Sequence, residues 1–420
     1  MAARSTRRRA LGAAAALLAV TLVAAGCAAE GPQDVELPTQ AEAALPGDVT
    51  TQLDEAVRSA MAATASTGAI AGVWSPWSGS WVSAIGTDAT GSALTPDMTF
   101  RAGDVTRMMT CDVLYGMVDD GRVELDDSIV EYVQGVPSLE AVTLLDLCNG
   151  TAGIGAYQPV VGESWITNPE RVWHPLEIAS FGIGQPRSAV GTEYRDSDSG
   201  YILLGLALER ASGEKAAQLF DRYIFGPLAL DDTTLPGVRP GLPGTDPLRG
   251  YRILSNADGS LACDAPVDVS TLSASVGFTD SGVVSTVTDL GRYVQATAVG
   301  ALAPKSAEGR WSAPLPVFAG APAWFTATGG ALQAGSLIGQ YGGMPGYLTA
   351  AFADPATGMT IVVVLNNSTA SAQVIGDLAF ELAAIASKAP AASGATAPEF
   401  GLPWTAQQYH DVVNQTNICR

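Results

Sequence analysis

Histidine and lysine are scarce in this sequence. Among its 420 residues the histidines are His174 and His410, and the lysines are Lys215, Lys305 and Lys388. A Ser-His-Asp triad would have to use one of those two histidines. We interpret the first as a helix-capping residue before Pro175, and the second lies near the C-terminus. A Gly-x-Ser-x-Gly nucleophile elbow is also absent from the sequence. We therefore expect neither a Ser-His-Asp triad nor a nucleophile-elbow serine in this protein.

Positive charge is also in short supply. The chain has 22 lysines and arginines against 42 aspartates and glutamates, a formal net charge of −20 at pH 7. Nucleic acids and anionic lipid headgroups would be repelled by this charge, so neither is expected as a partner of the folded body. Hydrophobic residues make up 47% of the chain, which is typical of a globular protein.

The five cysteines have two expected roles. Cys27 follows the apolar N-terminal run and is a candidate for lipidation. The other four are Cys111, Cys148, Cys263 and Cys419, whose spacings fit no zinc pattern. We therefore expect neither a metal site nor a cofactor. An even number of cysteines in an exported chain indicates disulfides, and from the residues alone three pairings are possible.

The N-terminus has the pattern of an export signal. MAARSTRRRA supplies a positively charged region, and LGAAAALLAVTLVAA supplies an apolar run of about 15 residues, too short for a convincing membrane span. The run leads into Ala24-Ala25-Gly26-Cys27, which resembles a bacterial lipobox. We predict a signal peptide over 1–26, lipidation of Cys27, and anchoring to the outer face of a bacterial cell membrane. An ordinary signal peptide is the alternative.

The remaining chain divides by composition. Residues 27–49 are polar and aperiodic, as in a tether, whereas amphipathic periodicity from about Leu53 predicts a folded domain over 50–387. Early strands, a long helical middle, and a late hairpin followed by a helix predict one sheet formed from both ends of this domain. Residues 388–400 read as a flexible linker. Residues 401–420, which include Trp404 and Tyr409, are expected to dock back onto the body.

Six phrases between about residues 53 and 385 resemble a known superfamily. They are FRAGDVT, VTLLDLCNGTAGI, GTEYRDSDSGYILLGLALERASG, IFGPLALDDTT, GQYGGMPGY and DPATGMTIVVVLNNS. In this order and spacing they resemble the class C branch of the serine β-lactamase and D-Ala-D-Ala-peptidase superfamily. The resemblance implies a mixed α/β (α+β) fold of the β-lactamase/transpeptidase type, with an antiparallel sheet flanked by helices and a helical lobe.

The superfamily's three catalytic motifs are altered here. The serine and lysine of its Ser-x-x-Lys motif correspond to Asp104 and Arg107, and the tyrosine and asparagine of Tyr-x-Asn correspond to Asp196 and Asp198. The Lys- or His-x-Gly motif corresponds to Gln340, Tyr341 and Gly342. The resemblance places all seven residues around one cleft, where they are candidate binding residues. It also favours the disulfide Cys111–Cys148, which leaves Cys263 to pair with Cys419.

These replacements remove the chemistry of the family. An acyl-aspartate would be an anhydride, a poor intermediate for hydrolysis, and a guanidinium stays protonated where a lysine base must lose its proton. As a structural role, Asp104 is predicted to cap its helix and to pair with Arg107. The sequence thus predicts a non-catalytic binding or regulatory protein of the cell envelope, with a small molecule, peptide or protein as ligand. The alternative is an active serine hydrolase with a divergent site.

Overall fold

The protein is built around a long antiparallel β-sheet. The computed structural model describes residues 35, 37–88, 91–136 and 138–419. The strands are β1 (Gly68–Ser75), β2 (Gly79–Gly86), β3 (Phe100–Arg101), β4 (Pro240–Gly241), β5 (Tyr251–Arg252), β6 (Val267–Asp268), β7 (Leu272–Ser273), β8 (Val284–Ser285), β9 (Leu315–Pro316), β10 (Phe325–Thr328), β11 (Ala331–Ala334), β12 (Leu337–Met344), β13 (Tyr347–Ala353) and β14 (Thr360–Leu365). Eight of them form the main sheet in the order β2-β1-β14-β13-β12-β11-β10-β9.

The helices surround this sheet and form a lobe between its early and late strands. They are α1 (Gly47–Thr64), α2 (Val105–Asp119), α3 (Ile129–Tyr132), α4 (Leu144–Asn149), α5 (Gln158–Thr167), α6 (Pro175–Ile183), α7 (Asp198–Ser212), α8 (Ala216–Phe220), α9 (Gly226–Leu228), α10 (Phe278–Ser281), α11 (Val287–Ala298), α12 (Gln373–Ala386) and α13 (Ala406–Gln415). In the described part of the chain, no helix has the length and apolar character that crossing a membrane requires.

The sheet joins the two ends of the domain, as the sequence predicted. Strand β1 pairs antiparallel with β14, so that Gly72 lies opposite Val362. β14 reads Thr-Ile-Val-Val-Val-Leu and is buried throughout, which fits the preference of β-branched residues for central strands. One apolar cluster packs α1, α12 and α13 against the sheet, and a second packs α2, α7 and α11. The predicted antiparallel sheet with flanking helices and a helical lobe is confirmed.

The segments on either side of this core differ in part from the predicted tether and linker. The predicted signal peptide and Cys27 lie outside the described residues. Helix α1 begins at Gly47, inside the predicted tether. Residues 388–400 have no helix or strand, as expected of a linker, but the start of this segment is hydrogen-bonded to the body. The Trp77 Nε1 donates to the Ala389 carbonyl at 2.9 Å, and the Ala392 N–H donates to the Trp77 carbonyl at 2.8 Å.

The C-terminal tail docks onto α1 and α12. Trp404, Tyr409 and Val413 are buried there, and the Trp404 Nε1 donates to the Phe380 carbonyl at 2.9 Å. The structure contains both expected disulfides, Cys111–Cys148 and Cys263–Cys419. The second joins the tail to the loop between β5 and β6.

Candidate functional site

Arg107 is the centre of the candidate site. It lies in the first turn of α2, and only 5% of its side chain is exposed. Its Nε donates to Asp280 Oδ1 at 2.8 Å, and its Nη1 donates to Asp196 Oδ1 at 2.5 Å. Its Nη2 lies 3.4 Å from Asp104 Oδ2. Three carboxylates therefore surround one guanidinium, and their charges outweigh the effect of burial and raise the pKa of Arg107 well above its usual range. It cannot act as a base.

Asp104 forms the predicted ion pair but not the predicted cap. It occupies the N-cap position of α2 with helical backbone angles, and its side chain accepts no capping hydrogen bond. The reason is its direction, since the carboxylate faces Arg107 and packs against β12. A Cβ built at Gly342 would lie 2.1 Å from Asp104 Cγ. Burial raises the pKa of Asp104 well above its ordinary value, and the Arg107 charge only partly opposes this rise.

Asp280 was missed by the sequence analysis. Its side chain is 4% exposed, and α10 holds it beneath Arg107. The Thr110 Oγ1 donates to the Thr279 carbonyl at 2.6 Å, and the Thr279 Oγ1 donates to the Tyr201 carbonyl at 2.8 Å, which fixes α10 against α2 and α7. An aspartate inside the apolar stretch ASVGFTDSGVV is the one signal that marked this position.

The two aspartates of the second altered motif have different environments. Asp196 is 68% exposed and reaches Arg107. Asp198 is buried at the start of α7 and makes no ion pair among the described residues. Its carboxylate instead accepts the N–H groups of Tyr157 at 2.6 Å and Gln158 at 2.8 Å, which fixes the start of α5. Burial and the nearby Asp280 raise the pKa of Asp198 to about 7, against the opposing effect of those hydrogen bonds.

The third altered motif lies beside the cleft rather than in its wall. The Gln340 Nε2 donates to the Gly330 carbonyl at 3.2 Å, and the Tyr341 hydroxyl donates to Gln373 Oε1 at 2.6 Å. The expectation that Gln340, Tyr341 and Gly342 line the cleft is therefore not met, because the first two side chains are engaged elsewhere and the glycine is covered by Asp104. The following residues Gly343 and Met344 line the wall in their place.

The cleft has a volume of about 590 Å³ and mixed charge. Four of the residues predicted to lie around one cleft do line it, namely Asp104, Arg107, Asp196 and Asp198. Glu163, Trp165 and Arg252 line it as well, and none of the three was predicted from the sequence. Among the described residues Arg252 has no hydrogen bond or ion pair from its side chain, and burial lowers its pKa. Trp165 is buried, and its Nε1 has no hydrogen-bond partner in the described chain.

The tyrosines around the cleft do not supply a base. Burial raises the pKa values of Tyr157, Tyr194 and Tyr201 above the ordinary value. The Tyr157 hydroxyl donates to the Val276 carbonyl at 2.8 Å, and the Tyr201 hydroxyl donates to the Cys148 carbonyl at 3.0 Å. Neutral, hydrogen-bonded phenols of this kind do not accept a proton from a nucleophile near neutral pH.

The serines of the cleft lack a partner base. Ser368 Oγ accepts the Gly346 N–H at 2.8 Å, and Ser371 Oγ accepts the Gln373 N–H at 3.3 Å. Within the described residues neither hydroxyl is hydrogen-bonded to a histidine, lysine or carboxylate, the arrangement that activates a serine. In the same part of the chain no group of three or more histidine, cysteine, aspartate or glutamate side chains is arranged to hold a metal ion.

A family comparison identifies the scaffold. The family described as Beta-lactamase matches residues 53–384, most of the chain. The chain belongs to the beta-lactamase family. Its D-alanyl-D-alanine-carboxypeptidase/endopeptidase relative AmpH of Escherichia coli K12 is 30% identical over 211 residues. That match covers 47% of this chain and 49% of AmpH, so the chain spans about half the length of the curated relative.

Solved structures place the beta-lactamase fold over the same region. A D-stereospecific amidohydrolase from Streptomyces sp. has a TM-score of 0.68 at 23% identity, covering 79% of this chain and 98% of its own. A D-amino acid amidase from Ochrobactrum anthropi SV3, in complex with D-phenylalanine, also has a TM-score of 0.68, at 21% identity over 80% and 99% of the two chains. At these identities the similarity establishes the fold of this beta-lactamase family member and nothing finer.

Proposed function

We propose that this protein is a non-catalytic binding or regulatory member of the beta-lactamase family. One observation carries the proposal. Asp104 and Arg107 stand at the positions where the superfamily motif has its serine and lysine, and Arg107 is held by the carboxylates of Asp104, Asp196 and Asp280. The bonds occupy the guanidinium and turn Asp104 toward it. The site is thus stabilised as an ion-pair network in place of a nucleophile and its base.

The alternative, an active hydrolase, is favoured by the names of the relatives. AmpH is described as a carboxypeptidase and endopeptidase, and the structural neighbours as an amidohydrolase and an amidase. Activity here would need a nucleophile other than Asp104 and a base other than Arg107. Ser368 and Ser371 are serines of the cleft wall that such a reaction could recruit.

The charges of the cleft support a ligand that carries a protonated amine together with a hydrogen-bond acceptor. Asp196 is open to solvent, and Glu163 lies in the same wall, so a cationic group would be attracted there. Arg252 lines the cleft, and its side chain is a donor that lacks a protein acceptor in the described chain. D-Phenylalanine, the ligand in the amidase complex, has both groups and serves as a first probe.

The proposal includes a location at the outer face of a bacterial cell membrane. It rests on the lipobox-like Ala24-Ala25-Gly26-Cys27 after an apolar run. The two disulfides support it, since stable disulfides are typical of exported proteins. Palmitate labelling of the wild type, lost in Cys27→Ser, is the expected result. Labelling that persists in the variant would contradict the anchor.

Covalent probes test the loss of chemistry. Purified protein is incubated with a fluorescent penicillin and with a fluorophosphonate. We expect no labelling by either, because no serine that lines the cleft in the described structure is bonded to a base. A label that survives Asp104→Ala and disappears in Ser368→Ala or Ser371→Ala would overturn the proposal in favour of the hydrolase.

A restoration experiment tests the same point in the opposite direction. Asp104→Ser with Arg107→Lys returns the first motif, and the addition of Asp196→Tyr and Asp198→Asn returns the second. We expect penicillin labelling to emerge only in the fourfold variant. The matched control is Asp112→Ser with Arg310→Lys, which alters the other buried ion pair of α2 away from the cleft. Labelling of this control would show that the signal is unspecific.

A further inference from the structure

The two disulfides differ in their access to solvent. Cys111 and Cys148 are completely buried, whereas Cys263 is exposed and Cys419 is half-buried. Thiol–disulfide exchange requires a thiolate to reach one of the two sulfur atoms, so access decides which disulfide a reductant attacks. Cys263 is the most exposed of the four cysteines in the two disulfides.

The loop of residues 254–266, here called the cleft loop, is held mainly by its own contacts. The Ala262 N–H donates to the Leu254 carbonyl at 2.9 Å, and the Asn256 N–H donates to the Ser260 carbonyl at 2.7 Å. Within the described chain its hydrogen bonds stay inside the loop, with one exception, the contact of Cys263 Sγ with the Ile418 carbonyl at 3.6 Å. The disulfide is therefore the main link between the cleft loop and the rest of the molecule.

The cleft loop adjoins the candidate site. Arg252, which lines the cleft, is two residues before it, in strand β5. The Ile253 N–H donates to Thr369 Oγ1 at 2.8 Å, and Thr369 lines the cleft too. At the other end of the disulfide, Cys419 belongs to the tail that packs on α1 and α12. A single S–S bond thus joins the loop that follows this wall to the tail.

We propose that Cys263–Cys419 is a thiol–disulfide exchange site whose reduction by a dithiol releases the cleft loop and loosens the Arg252 wall. A thiolate of the dithiol attacks Cys263 Sγ, the S–S bond breaks, and Cys419 leaves as a thiolate that takes up a proton. The second thiol of the reductant then attacks the mixed disulfide and frees Cys263. The protein gains two electrons and two protons, and the dithiol becomes a disulfide.

Release of the loop does not require the tail to unfold. Val413 is completely buried, and the Ser59 hydroxyl donates to Asn414 Oδ1 at 2.7 Å, so α13 keeps its packing when the S–S bond is broken. The cleft loop has no comparable contacts, so once the S–S bond is broken it is a low-stability unit that can open while α13 stays folded. The inference goes beyond the proposed function and does not depend on it, since it concerns the wall of the cleft whatever the cleft binds.

Differential alkylation tests the exchange step. Native protein is treated with dithiothreitol, then with iodoacetamide, and the cysteines are mapped by mass spectrometry. We expect Cys263 and Cys419 to be alkylated, while Cys111 and Cys148 are alkylated only after denaturation. If all four cysteines react together, or none reacts in the native protein, the assignment is wrong.

Two further measurements test whether reduction releases the cleft loop and loosens the Arg252 wall. On reduction, hydrogen exchange should accelerate by about tenfold or more in residues 254–266 and stay unchanged in α13. Phenylglyoxal should modify Arg252 faster in the reduced protein, with buried Arg107 as the internal control. The variant Cys263→Ser with Cys419→Ser should show both changes without reductant and should not respond to it. Unchanged exchange and modification rates, or loss of cooperative unfolding in this variant, would overturn the proposal.

Discussion

The Arg107 guanidinium is bonded to carboxylates of very different exposure, so at the scale of single residues its partners should differ in their contributions to stability. Asp280 is 4% exposed and Asp196 is 68% exposed. Breaking a buried ion pair leaves an uncompensated charge at a cost of about 3–5 kcal/mol, whereas an exposed pair contributes less than about 1 kcal/mol. We expect Asp280→Asn to lower the free energy of unfolding by about 3 kcal/mol and Asp196→Asn by less than 1 kcal/mol. Urea denaturation at pH 7 measures both, and equal losses would contradict the geometry.

Asp198 should make stability depend on pH. Burial, followed by the Asp280 charge, raises its pKa in the folded protein to about 7, above the value near 3.9 of an unfolded chain. The folded state therefore binds this proton more tightly, and the contribution to stability is complete below about pH 4 and lost as pH rises through about 7.

The variant Asp198→Asn should remove that contribution. We expect its stability to vary less between pH 4 and pH 7 than that of the wild type, by on the order of 3 kcal/mol. Urea midpoints across this range measure the difference. Asp377→Asn is the comparison variant, because Asp377 does not line the cleft and its pKa is also raised by burial, to about 6. Parallel pH profiles for Asp198→Asn and the wild type would show that Asp198 is not the group involved.

At the scale of elements, the contact between α2 and β12 depends on the absence of a side chain at Gly342. A Cβ there would lie 2.1 Å from Asp104 Cγ, far inside van der Waals distance. We expect Gly342→Ala to lower the free energy of unfolding by about 1–3 kcal/mol through overpacking. The additional change Asp104→Gly should recover part of this loss, because Asp104 Cβ, which would lie 2.5 Å from the new methyl group, is then removed together with the carboxylate. Additive losses in a double-mutant cycle would refute the contact.

The elements also mark the limit of what the sequence could predict. Apolar periodicity and β-branched runs are local, and they predicted the early strands, the helical middle and the late hairpin with its following helix. Asp280 reaches Arg107, and Arg252 reaches the cleft, from segments distant in sequence, and no local pattern marks such positions. Gln340 and Tyr341 matched a motif in spacing, but their side chains found partners in Gly330 and Gln373. The predicted cap failed at Asp104 because a nearby guanidinium competes for the carboxylate with the helix N–H groups.

At the scale of the whole molecule, the tail is an integral part of the core. Trp404, Tyr409 and Val413 are buried against α1 and α12, and Cys419 is bonded to Cys263. Truncation after residue 400 should expose that apolar surface and lower the free energy of unfolding by more than about 4 kcal/mol. Thermal and urea denaturation measure the loss, and Cys419→Ser separates the disulfide from the packing. A truncated protein as stable as the wild type would show that the tail is only an appendage.

The pairing of β1 with β14 also governs when the protein can fold. Strand β1 is made early in synthesis, yet its partner at Thr360–Leu365 comes near the end of the chain. Contacts this distant in sequence give a high contact order, which slows folding. Until β14 arrives, the edge of β1 has unpaired N–H and C=O groups that can pair with another chain. The main sheet of a nascent chain therefore cannot be completed before synthesis has reached about the last seventh of the sequence, a delay that would suit the proposed export, because translocation channels admit unfolded chains.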